Sequence, residues 1–247
     1  MALQEAFERQ GNLLFKKRGH IPLIVLGVGI LWYAFLLYDG RAQVNSWWVD
    51  ALFLCVGFLG LGIRIFTVGF TPKGTSGRNT NEGQIAEQLN TSGIYSTVRH
   101  PLYLGNFFMW LAPLLMSADV WFILCVCAFF WIYYERIMYA EEQFLRNKFG
   151  RAYVDWSDKT PAFFPKFSRY TGANLTFSVK NVLKREYNGF FNLVFVMTLF
   201  RGVGFAVTMK KFYMDMPWII IFSASAGIFI LIRILKKRTK FLDVEGR

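Results

Sequence analysis

The stretch Arg99-His100-Pro101-Leu102-Tyr103-Leu104-Gly105, followed by a largely apolar run to Met116, sets the reading of this chain. Pro101 suits the first turn of a helix, where its missing N–H leaves no bond unmade. Ser117-Ala118-Asp119 offers a turn. A second apolar run from Val120 to Tyr134 then continues through the helix-prone segment 135–149 to Gly150, a residue suited to ending a helix. Two antiparallel helices are therefore expected. At about 1.5 Å per residue, Glu141 falls roughly 30 Å along the second helix from Trp121, close to the thickness of a bilayer core. The hairpin thus returns Glu141 and Glu142 to the membrane face from which Arg99 and His100 start. A guanidinium, an imidazole and two carboxylates far apart in sequence are expected to share one pocket.

The rest of the composition agrees with a membrane setting. In 247 residues, 54% are hydrophobic and 19% aromatic, which argues against a soluble domain. The net charge of +12 would suggest nucleic acid in a soluble protein. Here the Lys and Arg lie between apolar runs, where they set topology and meet anionic headgroups, so nucleic-acid binding is not expected. Cys55, Cys125 and Cys127 fall in apolar runs and are read as small buried hydrophobes. Residues two apart on a helix point about 200° apart, so Cys125 and Cys127 do not converge on one metal, and no metal site is expected.

Taken in order, residues 1–70 read as a polar, partly amphipathic tail and two spans, Ile21 to Tyr38 and Trp47 to Phe66. The first is expected to be retained rather than cleaved as a leader. Arg64, near the end of the second, is read as snorkelling to the interface in preference to binding a ligand. Residues 71–170 hold the hairpin. They are preceded by a Gly-, Ser-, Thr- and Asn-rich loop over 71–92, either a lid or a linker, with a short helix-prone piece around Gln84 to Leu89. They end in a segment of aromatics beside Lys and Arg that suits the headgroup layer. Residues 171–247 supply an interfacial helix over 174–187, two more spans at Phe190 to Thr208 and Met216 to Ile234, and a basic tail.

The fold class expected is therefore an all-α polytopic membrane bundle of about six transmembrane helices. With both termini inside, 23 of the 28 Lys and Arg are cytosolic and only Arg41, Lys210 and Lys211 are outside; Arg64 and Arg201 lie within spans. The asymmetry places the hairpin's polar end in the cytosolic leaflet.

Arg-His-Pro-Leu-Tyr-Leu-Gly from Arg99, with Glu141-Glu142-Gln-Phe-Leu-Arg-Asn-Lys-Phe-Gly-Arg-Ala-Tyr about 36 residues after it, resembles the membrane methyltransferases typified by isoprenylcysteine carboxyl methyltransferases and phospholipid methyltransferases. The resemblance covers roughly residues 90–165. It implies that the helix pair and the segment after it bind S-adenosyl-L-methionine, and that the methyl acceptor is a lipid or lipid-linked molecule. The residues then implied at the cofactor site are Arg99, His100, Pro101, Tyr103, Gly105, Glu141 and Glu142. Carboxylates can accept from the ribose or the ammonium, and Arg99 can take the methionyl carboxylate. Tyr103 would bring a ring edge and Gly105 a close backbone approach. Glu142 ranks ahead of Glu141 for cofactor contact, although sequence does not fix the rotation of their helix.

His100 could be base, cofactor ligand or electrostatic partner. An amine must lose its proton before attack, whereas a carboxylate or phosphate need only be desolvated and aligned. Arg201, deep in the fifth span, is a further catalytic candidate that could pair with an anionic lipid group, or an interfacial residue if that span starts later. The basic face favours a carboxylate or phosphate acceptor over an amine. Phospholipid amine N-methylation, a sterol-reductase-like NADPH oxidoreductase and a non-enzymatic scaffold are the alternatives.

Overall fold

The computed structural model describes residues 2–72, 74–75, 79–80, 83–84 and 86–246. Its helices are α1 (Leu3–Lys16), α2 (Ile21–Tyr38), α3 (Trp47–Gly69), α4 (Pro101–Leu115), α5 (Val120–Phe149), α6 (Arg151–Ser157), α7 (Val179–Met209) and α8 (Met216–Arg238). Large apolar side chains such as Leu31, Trp121, Ile132, Ile220 and Leu231 point outward along the bundle. An outward apolar face on long helices is what a lipid solvent selects, and the molecule is a polytopic helical membrane protein.

Among the described residues five helices, α2, α3, α5, α7 and α8, are long and apolar enough to cross a membrane. The sixth expected span, α4, has only 15 residues, about 22 Å at the helical rise. Its ends are fixed chemically. His100 precedes a proline and adopts φ −121°, ψ 60°, which no helix continues through, and Ala118 turns left-handed at φ 51° just past the other end. Asp119 then caps α5 by accepting from the Phe122 N–H at 2.9 Å. Gly150, at φ 54°, ends α5 as expected, and α6 begins immediately after it.

Three expectations are corrected. The interfacial helix over 174–187 is instead the first turns of α7, one helix of 31 residues from Val179. The Ser178 hydroxyl caps its start and no proline interrupts it, so Asn188-Gly189 continue helical. The piece around 84–89 is not helical where described: Gly83–Gln84 pair antiparallel with Asn79–Thr80, as Asn- and Gly-rich sequence allows. Lys73, residues 76–78, Asn81, Glu82 and Ile85 of that loop lie outside the described residues, so its reading as lid or linker stays with the sequence. Finally, Cys55 and Cys125 are exposed and Cys127 partly so, because they occupy the outward apolar face, where lipid accepts a small thiol as readily as a core does.

α3 packs chiefly on α4 and also on α7, α7 packs on α2 and α8, and α1 lies along α5. The α3–α4 crossing is made by glycines. A Cβ on Gly60 would stand 2.3 Å from the Gly105 carbonyl oxygen, and one on Gly105 2.7 Å from that of Gly60. Small residues let the two backbones meet, the usual device where lipid removes any hydrophobic gain from helix association.

Candidate active site

Two chain segments are laced together at the N-terminal end of α4. The Thr97 carbonyl accepts from the Lys166 N–H, while Arg99 and His100 donate their own N–H to the carbonyls of Pro161 and Ala162 at 2.9 and 3.1 Å. Trp156 Nε1 donates to the Tyr95 carbonyl, and Gly93 forms a bridge with Thr171. The segment entering α4 and the segment leaving α6 thus fix each other, and with them the direction of the Arg99 and His100 side chains.

Arg99 is almost fully committed by this arrangement. Its Nε and Nη2 donate to the two oxygens of Glu142 at 2.9 and 3.3 Å, and its Nη1 donates to the Ser157 and Thr160 carbonyls at 2.7 Å each. These bonds hold four of its five N–H, so it ties α5 to the end of α6 and has little left for a ligand carboxylate. His100 lies between the paired acids, its Nε2 2.9 Å from Glu142 Oε1 and its Nδ1 3.7 Å from Glu141 Oε2. The same Glu141 oxygen accepts from the Tyr103 hydroxyl at 2.9 Å, and the Tyr103 ring stacks beside the His100 ring at 5.6 Å.

A cavity of about 920 Å³ opens over these residues. That is at the upper end of the roughly 300–1,000 Å³ typical of small-molecule and cofactor sites. Glu141, His100 and Tyr103 line one part of it, and Arg64, Asn106 and Glu186 another. Tyr153, fully buried on α6, also borders the cavity, and its hydroxyl has no hydrogen-bond partner among the described residues. Burial first, and the nearby Glu142 charge second, push that phenol well above its ordinary value, so it stays a neutral O–H.

The residues singled out from sequence are thereby brought together, with two qualifications and one exception. Glu142 does not line the cavity; it stands behind Arg99 and His100, while Glu141 faces in. Gly105 makes its close backbone approach to Gly60 of α3. Pro101 opens α4 and borders the cavity, as does Arg99. Arg201 is the exception. It is buried at the opposite end of the bundle, donating to both oxygens of Asp215 at 2.8 and 2.7 Å, to Asp50, and to the Asn45 carbonyl. Asp50 is three residues into α3 and Arg64 seventeen, so roughly 21 Å of helix separates Arg201's partner from the cavity.

This geometry can be set beside known proteins. The family model described as phospholipid methyltransferase matches residues 51–152, from within α3 to the start of α6. The chain is 31% identical over 163 residues to protein-S-isoprenylcysteine O-methyltransferase B of Arabidopsis thaliana, a match covering 62% of this chain and 77% of that one. The chain belongs to the isoprenylcysteine carboxyl methyltransferase and phospholipid methyltransferase family.

Other relatives are more distant or matched over less of their length. Protein-S-isoprenylcysteine O-methyltransferase of Tribolium castaneum is 25% identical over 61% of this chain and 54% of its own. The cobalt-zinc-cadmium resistance protein CzcN of Cupriavidus metallidurans is 33% identical over 55% of this chain. The chain spans only about 60% of that protein's length. No solved structure matches.

Sequence reasoning missed the second wall of the cavity. Arg64 does not simply snorkel: its Nε and Nη2 donate to Glu186 at 2.7 and 2.9 Å and its Nη1 to Asn106 Oδ1 at 2.7 Å, while Asn106 donates to the Tyr134 hydroxyl at 2.9 Å. Asn106 was legible in principle. It is a polar residue three past Tyr103 in an apolar helix, and so shares its face. Glu186 was hidden because its helix was read as lying at the interface.

Proposed function

We propose that this chain transfers a methyl group from S-adenosyl-L-methionine to a lipid-borne acceptor, with the site open to the cytosolic leaflet. The observation that carries the reading is the single cavity shared by the His100, Tyr103 and Glu141 cluster and by polar groups of two spanning helices, α3 and α7. The residues fit such a donor. Glu141 presents a carboxylate for ammonium or ribose hydroxyls, and Tyr153 brings a buried hydroxyl to the same cavity. S-adenosylmethionine supplies an electrophilic methyl on a sulfonium.

The chain's own residues then have defined work. Glu142, through its bonds to Arg99 and His100, holds the entrance of α4 in place. Because a carboxylate only accepts, its bond to His100 fixes Nε2 as the protonated nitrogen and turns Nδ1 toward Glu141. Bound there, S-adenosylmethionine would supply a methyl group that an acceptor oxyanion could take directly, the sulfur keeping the pair of the broken carbon–sulfur bond. The negative and positive charges cancel, and no proton has to leave. This matches a site whose histidine is held between two acids.

Amine N-methylation is the second reading, favoured by the phospholipid methyltransferase description of the matching family model. One incubation tests both. Purified protein with methyl-labelled S-adenosylmethionine and total membrane lipid should place label on a base-labile ester. Label on a base-stable amine headgroup would establish the second reading, and absence of lipid label would sink both.

A further inference from the structure

The segment that laces the entrance of α4 has an outer side that the cavity does not use. Residues 159–185 carry six Lys and Arg and no Asp or Glu. Lys184 and Arg185 border the cavity, while Lys159, Lys166, Arg169 and Lys180 are exposed outside it. We propose that residues 159–180 form a collar that binds anionic lipid headgroups, and that this contact steadies Arg99 and His100 for their ligand. Only the second half of the proposal, read through S-adenosylhomocysteine, rests on the methyl-transfer reading.

The collar lies at the boundary of the apolar band. At one end the Phe164 ring stacks at 6.3 Å on Trp131, which is itself exposed on the outward apolar face of α5. At the other the Phe177 ring packs over Gly69, where a Cβ would stand 2.1 Å from it, and meets the Phe70 ring at 5.3 Å just past α3. Between them Phe167 and Tyr170 are exposed, alternating with Lys166 and Arg169. Exposed aromatics suit any headgroup layer, whereas a run of cations without an acid selects an anionic one. Each Lys or Arg near such a surface brings roughly a fivefold gain in binding. Other basic residues at this end have acids beside them: Glu8 precedes Arg9 on α1, and Asp155 stands 3.7 Å from Arg151 on α6.

The same residues hold the motif. The Arg99 and His100 N–H are both spent on the carbonyls of Pro161 and Ala162, the Lys166 N–H on the Thr97 carbonyl, and the Thr171 N–H on the Ser96 hydroxyl oxygen at 2.9 Å. The collar has little of its own to stiffen it, since its helical turn, Phe167–Arg169, buries no residue. Headgroups gripping its outer side therefore restrict the backbone to which Arg99 and His100 are tied. A ligand that needs that backbone ordered then binds at lower entropic cost, and by linkage it tightens the lipid contact by the same factor.

The test uses the full chain in two nanodiscs, one of phosphatidylcholine and one in which about a third of the lipid is phosphatidylglycerol. In the anionic disc amide exchange should slow at residues 96–100 and 161–171. Calorimetry should show S-adenosylhomocysteine binding at least about fivefold more tightly there. That probe carries no net charge, so the field of the disc does not concentrate it. The variant K159Q/K166Q/K180Q removes three exposed charges and leaves Arg169, which also donates to the Lys159 carbonyl. It should melt like the wild type and bind the probe alike in both discs. A variant that keeps the full preference would place the effect elsewhere and overturn the proposal. So would glycerol 3-phosphate reproducing the effect in neutral discs, which would make the partner a soluble anion. Slower exchange in the anionic disc, with no S-adenosylhomocysteine bound in either, would sink methyl transfer and leave the headgroup contact standing. Wild-type affinity that is equal in the two discs would overturn the proposal and leave methyl transfer untouched.

Discussion

At the scale of single residues, the paired acids show how one step of helix rotation divides labour. Glu141 and Glu142 point about 100° apart on α5, so one faces the cavity and the other faces Arg99 and His100. Losing the Glu141 charge should therefore act on the ligand: Glu141→Gln is expected to weaken S-adenosylhomocysteine binding by about 1.5–3 kcal/mol with little change in melting temperature. Glu142→Gln should lower the melting temperature more, because Arg99 loses its ionic partner in a largely buried setting. Calorimetry and thermal melts of both variants check this, and a larger binding loss for Glu142→Gln at unchanged stability would reverse the assignment. The motif residues were legible because Pro101 fixes where α4 begins and helical rise fixes where α5 returns. The order of the two acids was not, since a rotation of 100° leaves no mark on apolar periodicity once the helix passes Tyr134 into charged sequence. Gly105 was legible as a place of close approach, but the approaching group comes from α3, and nothing local encodes a partner 45 residues away.

At the scale of elements, the cavity depends on how closely α3 and α4 cross, because Arg64 and Asn106 come from those two helices. The crossing is set by backbone against backbone. A methyl on Gly60 would meet the Gly105 carbonyl oxygen and the Met109 N, which have no rotamer by which to give way. On Gly57 it would meet the Leu193 side chain, which can shift, and more distantly Ala112. Gly60→Ala is thus expected to destabilise by about 1–3 kcal/mol, the cost of overpacking, and to lower affinity for S-adenosylhomocysteine. Gly57→Ala should cost less on both counts. Equal melts and affinities for the two variants would show that the helices can part without consequence. The hairpin of α4 and α5 and most of the spans could be read from apolar runs and breakers. The extent of α7 could not, because its first turns are polar where they meet the site rather than where they meet water. A buried polar face and a solvated one look the same in sequence.

At the scale of the whole molecule, the bundle carries polar clusters at its two ends with different tasks. Arg201 with Asp50 and Asp215 joins α3, α7 and the start of α8, and all its bonds are internal to the fold. Arg201→Met leaves Asp50 buried and unpaired and should cost about 3–5 kcal/mol of stability, while protein that remains folded binds S-adenosylhomocysteine with wild-type affinity. A specific loss of binding without destabilisation would return Arg201 to the site. At the other end six Lys and Arg border the cavity, Lys184 and Lys236 among them. Exposed aromatics mark the two boundaries: Tyr38, Trp47, Trp121 and Phe212 near Arg201, and Phe164, Phe167 and Tyr170 near the cavity. The sequence asymmetry of 23 basic residues against three is the ground for proposing that the cavity end faces the cytosol, where basic loops are retained. The expectation is that single cysteines behave oppositely at Gly172 and Lys211, in a background lacking Cys55, Cys125 and Cys127. Both positions are exposed, and they lie at opposite ends of α7. In intact cells an impermeant maleimide should label Lys211→Cys and spare Gly172→Cys until the membrane is permeabilised. Labelling of Gly172→Cys from outside, with protection of Lys211→Cys, would invert the topology and place the cavity away from the cytosolic pool of methyl donor.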